Sequence, residues 1–192
     1  GMNLPDVPSR EECGGSGAVG GIVKVDGIDY SFPLAPQTKR NYSDGGLPCN
    51  QRTCHHDGSP AFDLSYGGVA GKAVYAIVSG QIVDVSPYGG TCQSIQLRGD
   101  DGYFYWYGHV TKVGSYINIR YERGKFIPVK VKVGDQMGVV DAWSEGNTCN
   151  GTSSGSHLHI DRGPKGEWGG SPCCRDWGFV PLLVKIYNQL PK

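Results

Sequence analysis

The amino-acid sequence predicts a mostly β domain, in which many turns separate short strands, disulfides link long loops, and one short helix ends the chain. Glycine is frequent, at 31 of 192 residues, and 12 prolines add further turn signals. Apolar and polar residues alternate in several short runs, which is the pattern of half-buried strands. Apolar residues at helical spacing occur only at about 181–190, where Pro191 stops the pattern.

The predicted elements follow one another along nearly the whole chain. We expect residues 1–18, which are polar and Gly-rich, to be a loose N-terminal segment, and residues 19–192 to form a single domain. A first hairpin is predicted at 20–31 around Asp26-Gly27, and residues 32–52 are predicted to form a long covering loop stapled by Cys49 and Cys54. Further strands are predicted at 73–79, 81–86, 94–98, 103–107, 115–121, 126–133 and 137–140.

Charge and hydropathy exclude several classes of partner. Lys plus Arg and Asp plus Glu number 18 each, so the net charge is zero. Nucleic acids and anionic membranes need a basic surplus, and we therefore expect neither as a partner. No apolar stretch approaches the ~20 residues that a membrane-spanning helix needs. We expect a monomer, and if its substrate is a large polymer, the shape of a groove must hold that polymer rather than long-range charge.

Cysteine usage indicates an oxidising compartment. The chain has seven cysteines, and none forms the C-x-x-C pair of a structural zinc site. We interpret them mainly as disulfide partners and expect a secreted, periplasmic or cell-envelope protein. A signal peptide is absent, and we expect an export signal to have been removed ahead of Gly1.

The stretch from Ser156 to Asp161 carries the strongest functional signal. Its two histidines, His157 and His159, are separated by one apolar residue, and a Gly/Ser/Thr/Asn-rich run leads into it. Because side chains alternate faces along a strand, both imidazoles are expected on one face, roughly 7 Å apart at their Cα atoms. Two imidazoles on one face could share a site, or could be ordinary polar residues on a wet face.

The other histidines favour a shared metal site. His55, His56 and His109 complete a set of five, and none of the five is predicted on a surface helix. A catalytic zinc site commonly uses three His or Asp/Glu ligands and keeps one position open for water. The most economical set is His159, Asp63 and one of the His55/His56 pair. His157 and His109 would then lie near the open position, to handle protons or stabilise an oxyanion.

Five motifs in order resemble the lysostaphin/LytM-type zinc metallopeptidases. They cover roughly residues 50–162, and each is weak alone. They are His55/His56 with Asp63, the Gly-rich strand pattern at 71–80, Tyr107-Gly-His109, the Gly-Asp turn at 134–138, and Ser156-His-Leu-His159.

The resemblance implies an antiparallel β-sheet or sandwich-like fold with an active-site groove across the sheet, and cleavage of peptide bonds in bacterial cell walls. It also implies that Asp63 and His159 bind Zn²⁺, that His157 takes a proton from the attacking water, and that His109 helps stabilise the oxyanion. The last two roles could be shared or exchanged.

The first motif departs from the family pattern. Three residues usually separate its His and Asp, whereas six separate His56 from Asp63 and seven separate His55 from it. We prefer His56 because the loop between it and Asp63 is one residue shorter, and we keep His55 as the alternative. Asp57 could orient the ligating ring through its other nitrogen.

The sequence thus predicts an exported zinc metalloendopeptidase that hydrolyses peptidoglycan stem peptides or cross-bridges. The alternative from another class is a non-hydrolytic scaffold of the same fold that binds cell wall or a partner protein. A third candidate is a zinc endopeptidase directed at other proteins.

Overall fold

The computed structural model describes residues 21–42, 47, 55–142, 149 and 155–192. The predicted loose segment at 1–18 and the proposed Cys49–Cys54 staple lie outside these residues. The strands are β1 (Ile22–Val25), β2 (Ile28–Ser31), β3 (Ala61–Leu64), β4 (Ala73–Tyr75), β5 (Gly80–Pro87), β6 (Gln93–Gly99), β7 (Phe104–Thr111), β8 (Tyr121–Glu122), β9 (Lys125–Phe126), β10 (Val129–Val131), β11 (Gln136–Val140) and β12 (Leu158–Arg162). Helix α1 spans Phe179–Asn188, and short 3₁₀ helices lie at Val113–Ser115 and Pro172–Cys174.

An eight-stranded antiparallel sheet dominates the fold. Its main path runs β10-β5-β6-β7-β11-β4, and β12 branches from it by pairing with both β7 and β3. One edge of β7 is shared between two neighbours, because β12 pairs with it from Tyr105 to Gly108 and β11 pairs with it at Val110 and Thr111. The mostly β, antiparallel fold class is therefore confirmed. His109 lies at the point of β7 where pairing with β12 ends and pairing with β11 begins.

The first hairpin forms as its turn residues predict. Strands β1 and β2 pair with Val25 opposite Ile28, which leaves Asp26 and Gly27 as a two-residue loop. Both have positive φ, 50° and 81°, the backbone that a type I′ turn requires and that Asp-Gly tolerates. This hairpin is a separate two-stranded sheet.

The core lies against the central strands. Alternation in β6 buries Ile95 and Leu97, and the aromatic run in β7 buries Tyr105 and Tyr107. Phe104 and Trp106 of the same run are half-buried on the other face, as a half-buried strand predicts. The aromatic run is thus core on one side and available to a surface site on the other.

Helix α1 closes the core at the end of the chain, and it begins two residues earlier than predicted. Its residues Leu183, Ile186 and Tyr187 are buried, as their helical spacing predicts. Pro181 is tolerated because it lies in the first turn, where backbone N–H groups have no partner within the helix. Residues 32–42 of the covering loop pack on this helix, and the Tyr187 hydroxyl donates to the Arg40 carbonyl oxygen at 2.8 Å.

A disulfide joins Cys92 to Cys149, and both are buried. It ties the start of β6 to the segment that leads into β12. The prediction of disulfides is confirmed for this pair, whereas Cys173 and Cys174 are exposed free thiols. Within the described residues no helix is long and apolar enough to cross a membrane.

Candidate metal centre

Three buried side chains from two sequence-distant regions converge beside the sheet. His55, Asp63 and His159 each offer a ligand atom, and these atoms all lie within 4.8 Å of one another. Strand pairing accounts for two of them, because Asp63 in β3 lies directly opposite His159 in β12. Cross-strand partners have Cβ atoms only about 5 Å apart, so this register places carboxylate and imidazole in contact.

The Asp63 carboxylate lies between the two imidazoles. Its Oδ2 is 3.1 Å from Nε2 of His55, and its Oδ1 is 3.0 Å from Nδ1 of His159. All three side chains are less than 10% exposed. Two imidazole nitrogens and a carboxylate are a donor set that zinc accepts, and this set leaves a fourth position for another ligand.

A carboxylate holds the remaining nitrogen of each imidazole. Nδ1 of His55 is 2.5 Å from Oδ1 of Asp57, and Nε2 of His159 is 2.8 Å from Oδ2 of Asp161. Asp161 is fully buried, and its other oxygen accepts the backbone N–H of Gly170 at 2.6 Å. Metal-binding histidines usually donate their second N–H to such a group, which fixes the tautomer. This pattern leaves Nε2 of His55 and Nδ1 of His159 for the metal.

His56 differs from His55 in its surroundings. Its side chain is 69% exposed, against 4% for His55, although its Nδ1 lies 3.0 Å from Oδ2 of Asp63. It does not belong to the cluster of three ligand atoms. The loop length favoured His56, but the burial and the carboxylate partner of His55 favour the alternative.

Charge and hydrogen bonding stabilise the ionised carboxylate of Asp63. Burial alone would raise its pKa, but the adjoining imidazoles of His159 and His55 outweigh burial and hold the pKa well below its usual range. Burial would likewise lower the pKa of His159, yet the hydrogen bonds to Asp161 and Asp63 outweigh it and raise the pKa. The carboxylates of Asp161 and Asp63 thus favour a positive charge beside them, which a bound cation would supply.

His157 lies next to the cluster of His55, Asp63 and His159, on the side of the Asp63 carboxylate. Its Nε2 lies 3.6 Å from Oδ1 of Asp63, the same oxygen that His159 contacts, so both imidazoles lie on one side of β12 as alternation predicts. Its Nδ1 lies 2.8 Å from the carbonyl oxygen of Gly155. A carbonyl can only accept, so Nδ1 carries the hydrogen and the neutral ring keeps a lone pair on Nε2.

His109 lies in β7 where the sheet divides, and its ring centroid is 4.2 Å from that of His157. Its φ of 60° is rare for a residue other than glycine, and it turns the strand between its pairing with β12 and its pairing with β11. Burial, followed by the neighbouring charges of His157 and His159, lowers the pKa of His109 to about 3. The ring is therefore neutral near pH 7.

The Cys92–Cys149 disulfide lies directly beside His109, since its sulfurs and a His109 nitrogen lie within 4.8 Å of one another. Both sulfurs are consumed in the bond, and only a thiolate is a metal ligand. This second group of three is therefore a packing contact that supports His109 and not a metal site.

An aromatic wall of Trp106 and Tyr88 borders the centre. The Trp106 ring centroid is 5.2 Å from that of His159, and Tyr88 contacts both Trp106 at 5.0 Å and His109 at 5.1 Å. Trp106 fits here because glycine occupies position 108, where a Cβ would come within 2.6 Å of the indole ring. Sequence reasoning missed this wall. Tyr88 lies between β5 and β6, outside any strand, and strand alternation predicts the face on which Trp106 lies but not which side chains it contacts.

Sequence reasoning also missed two charged residues of the site, Asp161 and Arg175. Asp161 could have been found, since it follows His159 by two residues and alternation places both on one face of the strand. Arg175 lies in a loop rich in Gly, Pro and Cys, where no periodic signal indicates which way a side chain points.

Neither a protein-family model nor a curated protein sequence matches the chain. It is similar to the solved structure of a putative glycyl-glycine endopeptidase lytM from Ruminococcus gnavus, with 17% identity, 85% of this chain and 62% of that chain covered, and a TM-score of 0.47. A putative peptidase M23 from Pseudomonas aeruginosa matches at 15% identity, with 80% and 54% covered and a TM-score of 0.43. A zinc containing peptidase from Vibrio cholerae matches at 18% identity, with 72% and 41% covered and a TM-score of 0.38.

The chain spans between 41% and 62% of the length of these three structures. Similarity at this level assigns no chemistry to the chain.

Proposed function

We propose that the protein is an exported zinc metalloendopeptidase that hydrolyses peptide bonds of bacterial peptidoglycan. The observation that carries the proposal is the convergence of His55, Asp63 and His159, with His157 and His109 on the adjoining side. We propose a monomer as the active unit, in which one chain supplies all five of these side chains.

We propose His55, Asp63 and His159 as the zinc ligands, with His55 in place of His56. When bound, zinc supplies a Lewis acid that polarises a carbonyl oxygen and lowers the pKa of water to about 7. The ligand atoms are directed by groups already in place, because Asp57 and Asp161 hold the opposite ring nitrogens. The two histidines therefore need little rearrangement to bind a cation.

His157 is suited to general base catalysis. The contact between its Nδ1 and the carbonyl oxygen of Gly155 fixes the tautomer in which Nε2 is unprotonated. Nε2 lies near the carboxylate of Asp63, so it can take a proton from an attacking water and return it to the departing amine. Such proton transfer contributes typically about 10²–10⁴-fold to the rate.

His109 is suited to stabilising the oxyanion that forms when the peptide carbonyl is attacked. Because burial keeps its ring neutral, it acts as a hydrogen-bond donor without changing its charge. The Tyr88 ring, at 5.1 Å between centroids, and the adjoining disulfide pack beside the ring. A fixed donor of this kind is worth about 3–4 kcal/mol in a comparable site.

The choice of peptidoglycan as substrate rests on the five motifs that resemble the lysostaphin/LytM-type enzymes. A net charge of zero is consistent with a substrate held in a groove by shape and hydrogen bonds. The Cys92–Cys149 disulfide supports an oxidising location, where a wall substrate would be found.

The direct test is release of soluble peptides from purified bacterial cell walls. Wild-type protein should solubilise walls, a chelator should abolish this, added zinc should restore it, and His159→Ala should lose both metal and activity. Hydrolysis by metal-free protein would contradict the proposal. Stoichiometric zinc binding without turnover across several wall types would favour the scaffold, and cleavage of Gly-rich proteins but not of walls would favour a protein-directed peptidase.

A further inference from the structure

A buried arginine connects the groups that hold the two histidine ligands. Arg175 lies between the 3₁₀ helix Pro172–Cys174 and α1, and its side chain is only 6% exposed. Its Nη1 is 3.2 Å from Oδ2 of Asp57, and its Nε is 3.2 Å from Oδ2 of Asp161. Nη1 also donates to the hydroxyl of Ser59, and Nη2 lies 3.3 Å from Nε2 of His159.

These contacts join parts of the chain that no strand pairing joins. Asp57 lies 118 residues before Arg175, in the loop that carries His55, whereas His159 lies only 16 residues before it. The described part of the His55 loop has no strand of its own. The guanidinium thus connects Asp57, which contacts His55, with Asp161, which contacts His159.

We propose that Arg175 is a positioning residue of the metal centre, which holds Asp57 and Asp161 against His55 and His159 and so sets the affinity for a divalent cation. The inference rests on the proposed metal site and adds a residue that the motifs do not contain.

The charges of the site support this role. Asp57, Asp63 and Asp161 bring three negative charges close together, and the Arg175 guanidinium lies against two of them. A divalent cation at the ligand atoms would bring the sum to zero. Without Arg175, Asp57 and Asp161 would repel each other across the site and turn away from the imidazoles.

Only arginine can make this arrangement. Its planar guanidinium spreads its charge over three nitrogens, so from one stem it donates a hydrogen bond to Asp57 and lies in ion-pair contact with Asp161, whereas lysine carries a single point charge. Arg175→Lys therefore keeps the charge and loses the connection between the two carboxylates, and Arg175→Gln loses both.

Arg162 provides a matched control. Its guanidinium is equally buried, at 7% exposed, and forms an ion pair with Asp176, with Nε 2.8 Å from Oδ2. It also stacks on the ring of Tyr103 at 3.7 Å. Arg162→Gln therefore removes a buried ion pair from the same region, but this ion pair includes none of the groups that hold the ligands.

The experiment measures the zinc dissociation constant of the full chain by competition with a chromogenic chelator, and the visible spectrum of the cobalt-loaded protein. Thermal unfolding of the metal-free forms reports stability separately. Removing a group that orients a ligand typically costs about 10–100-fold in metal affinity. We expect about that loss for Arg175→Gln, about tenfold for Arg175→Lys, and an altered cobalt spectrum in both.

Arg162→Gln should lower the unfolding temperature while changing zinc affinity less than about threefold. Equal zinc affinity and an unchanged cobalt spectrum in folded Arg175→Lys would overturn the inference, even if Arg175→Gln does not fold. Equal losses of affinity in the Arg175 and Arg162 variants would also overturn it, because a general loss of stability would then explain both. Failure of the wild-type protein to bind zinc would instead overturn the proposed function.

Discussion

Replacement of each neighbouring histidine by alanine tests the ligand assignment. His55 is 4% exposed, is held by Asp57 and contacts Asp63, whereas His56 is 69% exposed. We therefore expect His55→Ala to remove a zinc ligand and His56→Ala to remove a side chain that is largely in solvent. The two changes delete the same atoms one position apart, so each is the control for the other.

The magnitude follows from the number of ligands. A structural zinc site with four ligands binds with an apparent free energy of about 10–16 kcal/mol, so one ligand contributes about 3 kcal/mol. That free energy corresponds to about 150-fold in Kd. His56→Ala loses one partly exposed contact with Asp63, and we expect less than about fivefold from it.

The assay is zinc affinity by chelator competition, together with wall hydrolysis at saturating zinc. His55→Ala should bind zinc about 150-fold more weakly, and His56→Ala should retain both zinc and most of the activity. Circular dichroism of the metal-free variants checks that both are folded. Loss of zinc in His56→Ala with retention in His55→Ala would refute the reasoning from burial and from the Asp57 contact.

Three further changes test the surroundings of the site. Burial raises the pKa of Asp141 to about 6 from 3.8, although nearby His157 opposes this, so ionisation of Asp141 lowers the stability of the fold as the pH rises from about 4 to 6. Asp141→Asn should therefore raise the free energy of unfolding at pH 7 by up to about 3 kcal/mol and flatten this pH dependence in denaturant titrations. Replacement of Cys92 and Cys149 by serine should cost about 2–4 kcal/mol of stability in the same titrations, because the bond closes a loop with a sequence separation of 57; an unchanged midpoint would contradict this. Gly108→Ala places a Cβ 2.6 Å from the Trp106 ring and should cost about 1–3 kcal/mol and alter tryptophan fluorescence, whereas Gly114→Ala, with open space around its Cβ, should do neither.

The sequence predicted the fold class better than it predicted the bounds of individual strands. Turn chemistry at Asp26-Gly27 and the helical spacing of Leu183 and Ile186 are local signals, and both gave the element that the structure contains. The strand predicted at 73–79 is shorter in the structure, because β4 ends at Tyr75 and a single isolated bridge, between Val78 and Tyr30, follows it.

The choice between His55 and His56 shows why local signals are insufficient for a site. Loop length favoured the nearer histidine, but the contact that distinguishes His55 is with Asp57, which in turn contacts Arg175, 118 residues later in the chain. The branching of β12 from β7 likewise depends on pairing between distant strands. No pattern within a short window contains this information, so the sequence alone could suggest the convergence of Asp63 and His159 but could not establish it.

A crystal structure of the zinc-loaded protein, with anomalous data collected at the zinc absorption edge, tests the central claim most directly. We predict one strong anomalous peak for each chain, bonded to Nε2 of His55, an oxygen of Asp63 and Nδ1 of His159, with Nε2 of His157 facing the remaining position. A peak bonded to other side chains, or no peak at these three in protein soaked with zinc, would contradict the account.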